Sequence, residues 1–224
     1  MARVSEILDC HDPESREAGI AAAHQALQAG ECVVLPTDTV YGIGADAFSP
    51  HAVTILLAAK GRNRTMPPPV LIGRPAVMDG LAMEVPEEAR ALAETFWPGG
   101  LTLILQAQPS LAWDLGETRG TVALRMPADD LALDLLGRTG PLAVSSANRT
   151  GMEAATTAAQ AKEMLGEAVA VYLDDGDRST SAASTIVDCT VTPPKVVRDG
   201  AIPLEELRAV VPGVLGLSEA LDGE

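Results

Sequence analysis

Polar side chains that could bind a ligand directly follow a short apolar run of the chain. Residues 32–35 (CVVL) are apolar and mostly β-branched, which predicts a buried strand. Pro36 ends the strand, because proline has no N–H for a sheet ladder. Residues 37–41 (TDTVY) then supply three hydroxyls and one carboxylate before two glycines. Open α/β sheets bind ligands at the carboxyl ends of their strands, so we expect a binding loop after Pro36; a turn that only reverses the chain is the alternative.

Residues 42–47 (GIGADA) match the G-x-G-x-x-A dinucleotide fingerprint, but their context does not fit it. In that fingerprint the glycines follow the strand directly, and an acid ~20 residues later binds the ribose. Here residues 37–41 intervene, and no Asp or Glu lies between Asp46 and Asp79. The sequence therefore argues against Rossmann-type NAD binding, and the absence of G-x-x-x-x-G-K-[ST] excludes a P-loop.

Lys60-Gly61-Arg62, with Arg64 close behind, concentrates positive charge in a chain whose formal net charge is −15. Lysine binds phosphate as a point charge, and arginine binds it as a two-pronged donor. This segment is therefore a candidate phosphate clamp. The alternative is a cationic helix end that complements the helix dipole.

The residues Ser145-Ser146-Ala147-Asn148 follow an apolar strand and offer hydroxyl and amide groups to a ligand. A nucleophilic serine needs a nearby base, and no histidine follows His51. A ligand-binding turn is therefore favoured over a hydrolytic site.

Arg125 ends the apolar strand 121–125 (TVALR) and needs an anionic partner there. Thr121 can share its face of the strand, because side chains alternate. Ser184 and Arg198 open and close the last pair of predicted strands, although an arginine at a strand end is usually solvated.

Helices and strands alternate in the first half of the chain, and strands follow one another more closely later. This order predicts an α/β fold with a single domain, in which a twisted mixed parallel/antiparallel sheet is flanked by helices. We expect a catalytic domain over 1–210 and an acidic C-terminal tail over 211–224. The expected helices are 13–29, 50–60, 86–96, 129–136, 157–165 and a short one after Pro203; the expected strands are 32–35, 70–72, 101–105, 121–125, 142–146, 169–173, 184–188 and 195–198.

Composition and charge exclude several functions. A net charge of −15 argues against a surface that coats nucleic acid, which needs a basic face. The three histidines and three cysteines lack zinc-ligand spacing, so we expect no metal held by protein ligands alone. No apolar run reaches the ~18 residues of a membrane span, and the N-terminus has no apolar signal core. We therefore expect a cytoplasmic protein without a membrane partner.

Seven motifs, in this order, resemble the YrdC/TsaC family of threonylcarbamoyl-AMP synthases. They are PTDTVYGIGADA, KGR, WPGGLT, VALRMP, SSAN, STIVD and VRDG, and they extend from Pro36 to Gly200. The resemblance implies a YrdC-like fold with a concave ligand cleft, in the short form without an extra C-terminal domain.

The resemblance also implies a reaction. L-Threonine, bicarbonate and ATP, with magnesium bound as Mg-ATP, would give threonylcarbamoyl-AMP and pyrophosphate. This nucleotidyltransferase reaction would supply downstream tRNA-modification proteins that make threonylcarbamoyladenosine, with at most a weak contact to tRNA itself.

Site residues carry over from the family position by position. Lys60 and Arg62 resemble ligands of the triphosphate, and Arg125 resembles the clamp for the amino acid carboxylate; these three are the candidate catalytic residues. The other matches are Thr37 and Ser184 as threonine contacts, and Thr121, Ser146, Asn148 and Arg198 as nucleotide or phosphate contacts. Two alternatives remain open: an RNA-binding module on the same fold, and an adenylating relative that uses a different small amine.

Overall fold

One mixed sheet carries the site in this computed structural model, which describes residues 5–178 and 182–220. Its strands are β1 Glu6–Asp9, β2 Val33–Leu35, β3 Gly42–Asp46, β4 Val70–Leu71, β5 Leu101–Gln106, β6 Thr121–Arg125, β7 Leu142–Ser146, β8 Val171–Asp174, β9 Thr185–Asp188 and β10 Lys195–Arg198. They are ordered β1-β8-β2-β3-β7-β4-β6-β5-β9-β10. Four neighbouring pairs are parallel (β1–β8, β8–β2, β4–β6, β5–β9), and the other five are antiparallel. The predicted single-domain α/β architecture is confirmed.

Helices cover both faces of this sheet. They are α1 Pro13–Gln28, α2 Pro50–Ala59, α3 Met78–Leu81, α4 Glu87–Phe96, α5 Asp130–Thr139, α6 Ala158–Leu165 and α7 Leu204–Val210, with 3₁₀ turns at Pro75–Val77 and Gly166–Ala168. One apolar cluster joins α2, α4, α6 and α7 to the sheet, and a second joins α1 and α5 to the opposite face. The sheet is therefore the middle layer of three, and its strand ends can hold a site between the layers.

The predicted helix starts are correct because local signals fix them. Asp12 accepts hydrogen bonds from the backbone N–H groups of Glu14 and Ser15, both at 3.1 Å, and so caps α1. Ser49 caps α2 in the same way, accepting from the N–H of Ala52 at 3.2 Å. A proline follows each capping residue, where its missing N–H costs nothing.

Three elements differ from the sequence-based expectation. Residues 42–46, expected to belong to a glycine-rich loop, form strand β3 beside β2 and β7. A Cβ on Gly42 would lie 2.6 Å from Cγ1 of Val144 in β7, so the glycine permits this close approach rather than a turn. The short elements β1 and α3 were not expected, since four-residue segments carry too little periodicity to be recognised.

The predicted division at residue 210 stays a prediction, although the chain just beyond it packs against the domain. Val211 and Val214 are buried in the same cluster as Leu207 of α7. The N–H of Leu215 donates to the Pro194 carbonyl at 2.8 Å, directly before β10. Within residues 5–178 and 182–220, none of the helices is both long and apolar enough to cross a bilayer.

Candidate active site

A cavity of about 660 Å³ opens where several parts of the chain meet. Its walls come from the loop after β2, the segment after α2, strand β6, the end of β7, and the strands β9 and β10. Seven of the predicted site residues line it: Thr37, Arg62, Thr121, Arg125, Ser146, Ser184 and Arg198. The sequence-distant candidates therefore do meet in one place. We call this space the central cavity.

Arg125 is the most firmly held of these side chains. The residue is 7% exposed, and its guanidinium donates to three fixed acceptors. Nε donates to the Gly99 carbonyl at 2.9 Å, Nη1 to Thr39 Oγ1 at 3.0 Å, and Nη2 to Asp38 Oδ1 at 2.7 Å. Because a guanidinium has five N–H groups, two remain for a ligand.

Arg198 and Ser184 form a second fixed pair, between β9 and β10. Arg198 donates from Nε and Nη2 to the Ser184 carbonyl, at 3.0 and 2.7 Å, and from Nη2 to Ser184 Oγ at 2.9 Å. Ser184 Oγ also lies 2.8 Å from the buried hydroxyl of Thr102. Burial lowers the pKa of Arg198, and so do the nearby positive charges of Arg125 and Arg62.

Arg62 has a donor without a partner. Its Nη1 donates to Ser145 Oγ at 3.0 Å, at the carboxyl end of β7. Its Nε is the one buried side-chain nitrogen or oxygen in the described part of the chain that has no hydrogen-bond partner. Leaving such a donor unsatisfied costs about 1–3 kcal/mol, and an anionic ligand in the cavity would remove that cost.

Lys60 and Asn148 lie behind the cavity rather than in its wall. Lys60 is 2% exposed, and its Nζ donates to the Ser146 carbonyl and, at 2.7 Å, to the Asn148 carbonyl. The Asn148 side chain accepts weakly from Lys60 at 3.4 Å and donates to the carbonyls of Arg149 and Met152. Both residues thus hold the 146–148 turn in shape; their roles as direct phosphate ligands stay predictions.

The hydroxyl groups of Thr37 and Thr121 are also held by local bonds. Thr37 Oγ1 donates to the Val40 carbonyl at 2.6 Å, and Thr121 Oγ1 donates to the Thr118 carbonyl at 2.8 Å. Thr121 Oγ1 keeps acceptor capacity for a ligand donor, whereas Thr37 Oγ1 also accepts from the Thr39 N–H at 3.2 Å and lies 3.0 Å from Thr39 Oγ1, so its bonds are filled within the loop. Arg64, the third cation of the predicted cluster, instead pairs with Asp114 at 2.7 Å on the surface and does not line the cavity.

The central cavity is positively charged although the chain is acidic. Among its described lining residues, three are arginines and none carries a carboxylate. Asp38 offsets the charge of Arg125, whereas no described carboxylate lies within ion-pair distance of Arg62 or Arg198. A charged, partly closed cavity of this kind concentrates anions.

The donor set does not fit a resident magnesium ion. Magnesium prefers carboxylate, phosphate and water oxygens, and the described lining residues offer hydroxyls and carbonyls only. The described residues also contain no cluster of three or more His, Cys, Asp or Glu side chains.

Sequence reasoning missed several groups that shape this site. Asp38 was seen only as part of a polar loop, yet its carboxylate accepts from Arg125, as does the hydroxyl of Thr39. Thr102 looked like an ordinary strand residue, and its contact with Ser184 spans 82 positions in sequence. The sequence did contain one signal for the partner of Arg125. Asp38 is an acid just after a buried strand, and a buried arginine needs a negatively charged partner.

Comparison with known proteins identifies the family of this chain. The Sua5_yciO_yrdC family model, described as "Telomere recombination", matches residues 25–200. The chain belongs to the Sua5/YciO/YrdC family. Among the solved structures of this family, Escherichia coli YciO matches with a TM-score of 0.80 over 91% of this chain and all of that one, at 22% identity, which supports the fold alone.

Relatives in this family carry enzyme names. A Mycobacterium leprae protein, provisionally named threonylcarbamoyl-AMP synthase, is 50% identical over 218 residues, which cover 96% of this chain and 99% of that protein. The Pyrococcus abyssi threonylcarbamoyl-AMP synthase is 37% identical over 88% of this chain, which spans 58% of that protein. The crystal structure of P. abyssi Sua5 complexed with L-threonine superimposes with a TM-score of 0.90, at 33% identity, over 98% of this chain and 66% of that one.

Proposed function

We propose that this chain is an L-threonylcarbamoyladenylate synthase, a nucleotidyltransferase that makes threonylcarbamoyl-AMP and pyrophosphate from L-threonine, bicarbonate and ATP. The observation that carries the proposal is the meeting of Arg62, Arg125 and Arg198 in one cavity, with the buried Nε of Arg62 lacking a partner. The names of the relatives, and the P. abyssi structure with L-threonine, support the choice of substrates.

The reaction needs positioning and charge neutralisation more than acid–base help. The threonine nitrogen bonds to the carbon of carbon dioxide formed from bicarbonate, and this gives a carbamate. A carbamate oxygen then bonds to the α-phosphorus of ATP, and the bond from that phosphorus to the α,β-bridging oxygen breaks as pyrophosphate leaves. Bringing three reactants together removes much of the entropic barrier. Fixed positive groups stabilise the charge that develops on the phosphate oxygens.

The charge around each lining residue indicates which substrate group it would bind. Arg62 and Arg198 have no carboxylate partner among the described residues, so they would bind the polyphosphate. Arg125 keeps two free N–H groups and would bind the threonine carboxylate, with Thr37 and Ser184 near the rest of the amino acid. Thr121 and Ser146 would contact the nucleotide.

Other groups act indirectly or arrive with the substrate. Lys60 and Asn148 would act by holding the 146–148 turn. Magnesium bound to ATP would supply additional neutralisation of the phosphate oxygens. We further propose a cytoplasmic location, consistent with three buried free thiols, and transfer of the adenylate to downstream tRNA-modification proteins.

Pyrophosphate release tests the proposal. The purified protein should release pyrophosphate from ATP only when both L-threonine and bicarbonate are present, and mass spectrometry should identify threonylcarbamoyl-AMP. Replacing threonine by serine should lower the rate about 10–200-fold, since a pocket distinguishes one methyl group only to this extent. RNA binding without ATP consumption would contradict the proposal, and so would equal or faster turnover of another small amine.

A matched pair of variants links the activity to the cavity. Arg62→Ala should lower kcat/KM for ATP by about a hundredfold, the scale of losing one charge-stabilising donor. Arg138→Ala removes an arginine that pairs with Glu17 on the surface, and should leave turnover unchanged.

A further inference from the structure

Asp38 is the one carboxylate of the 37–41 loop, and the proposed reaction assigns it no role. Its Oδ1 accepts two hydrogen bonds, from Arg125 Nη2 at 2.7 Å and from the backbone N–H of Ala128 at 2.9 Å. The side chains of Arg125 and Asp38 are only 8% and 18% exposed. The carboxylate is thus fixed against the guanidinium before any ligand binds.

This ion pair makes the three arginines of the central cavity electrostatically different. The charges of Arg125 and Asp38 largely cancel, whereas Arg62 and Arg198 face the cavity without a described carboxylate within ion-pair distance. A polyanion gains most where the positive charge is not cancelled, and Asp38 would repel it from Arg125.

We propose that Asp38 is a specificity-determining positioning residue that reserves Arg125 for the single carboxylate of the amino acid and keeps polyphosphate away from it. This inference rests on the proposed function, because it assigns the amino acid and the polyphosphate to different arginines of the same cavity.

The hydrogen-bond geometry supports this selectivity. Arg125 spends three N–H groups on Gly99, Thr39 and Asp38, which leaves two. Two donors match one carboxylate, whose two oxygens a guanidinium can bind side by side. A phosphate chain has many more oxygens to satisfy and carries several negative charges, so it would be better bound by Arg62 and Arg198.

Removing the charge of Asp38 without changing its shape tests the proposal. In Asp38→Asn the side-chain oxygen can still accept from the Ala128 N–H, but nothing cancels the charge of Arg125. Pyrophosphate should then bind at Arg125 and compete with L-threonine. Isothermal titration calorimetry would measure the Kd of L-threonine with and without saturating pyrophosphate, in the absence of turnover.

In the wild type, pyrophosphate should change the Kd of threonine by less than about threefold. In Asp38→Asn, pyrophosphate should raise the Kd of threonine by a factor at least ten times larger than in the wild type. The proposal would be overturned if pyrophosphate changed the Kd of threonine by the same factor in both proteins, or if it competed fully with threonine in the wild type. The wild-type measurement stands even if the variant does not fold.

Asp129→Asn is the matched control. Asp129 also forms a buried ion pair, with Arg178 at 2.9 Å, but Arg178 does not line the cavity. This control should behave like the wild type; a competition as strong as in Asp38→Asn would mean that loss of any buried pair is sufficient, and would refute the role of Asp38. A wild-type protein that does not bind threonine at all would instead refute the proposed function, and the inference with it.

Discussion

Raising the pH above 8 should deprotonate a buried lysine and so weaken ATP binding. The same deprotonation should remove the unfavourable effect of a buried positive charge on the free energy of unfolding. Both effects originate at Lys60. Burial, together with the nearby charge of Arg62, lowers the pKa of Lys60 to about 8. In the unfolded chain this lysine titrates near its ordinary value of about 10.4. Between these two values the unfolded state binds more protons than the folded state, so the contribution of Lys60 to the free energy of unfolding rises with pH.

The size of each effect follows from the structure. The stability contribution has a slope of at most about 1.4 kcal/mol per pH unit, and so reaches at most about 3 kcal/mol between pH 8 and 10. Deprotonation also removes a positive charge from behind the 146–148 turn and one donor from its carbonyl oxygens. Because Lys60 is not in the cavity wall, its neutralisation acts on ATP through the lost positive charge, and a loss of about 1–2 kcal/mol lowers ATP affinity by about tenfold.

The assay compares the wild type with Lys60→Met, which keeps the length of the side chain without the charge. The comparison is necessary because burial raises the pKa of Cys10 to about 11 and that of Cys32 and Cys189 to about 12. Those thiols stay protonated in the folded state while they ionise in the unfolded one, and this lowers stability as the pH rises. Their contribution is common to both proteins and cancels in the difference.

Calorimetric unfolding and ATP titration, both without threonine or bicarbonate, would be measured from pH 7 to 10. The stability of the wild type relative to the variant should rise over pH 8–10, while its ATP affinity falls toward that of the variant. A stability difference independent of pH, or ATP binding that is equally strong at pH 7 and 10, would show that Lys60 is not a buried ammonium coupled to the cavity.

Three further predictions follow from the contacts of other residues. Arg62→Ala should raise the Kd for ATP by about 10–100-fold with little change in melting temperature, and a large loss of stability without weaker binding would contradict its role in the cavity. Arg178→Ala should lower the free energy of unfolding by about 3 kcal/mol, because it leaves the buried carboxylate of Asp129 unpaired; a change under 1 kcal/mol in urea titrations would argue against that pair. Gly200→Ala should reduce both stability and turnover, since a Cβ there would lie 2.4 Å from backbone atoms before β9. Gly137→Ala has open space around it in α5 and should be neutral or stabilising by up to about 1 kcal/mol. Equal melting temperatures for the two variants would refute this contrast.

Local signals explain why the element order could be predicted. The caps Asp12 and Ser49 and the apolar runs at β5 to β7 act over a few neighbouring residues, and the structure follows them. Strand β3 could not be predicted in the same way. Its glycines resemble a loop in sequence, and only the close approach of Val144 from β7 makes them strand residues.

The chemistry of the site could be predicted only where a residue type was unusual for its position. An arginine ending an apolar strand, Arg125, and a cation cluster after α2 were such cases. The partners of these residues could not be found, because Asp38 and Arg125 are 87 positions apart and Lys60 and Asn148 are 88 apart. The burial of Lys60 beneath a turn likewise depends on tertiary packing. Residue type thus identified the members of the site, and contacts distant in sequence decided which of them face the cavity.

A crystal structure with L-threonine and a non-hydrolysable ATP analogue tests the central claim most directly. The claim predicts the polyphosphate on Arg62 and Arg198, with the Nε of Arg62 bonded to it, and the threonine carboxylate on the two free N–H groups of Arg125. Phosphates bound to Arg125 instead, or bound outside the central cavity, would contradict it.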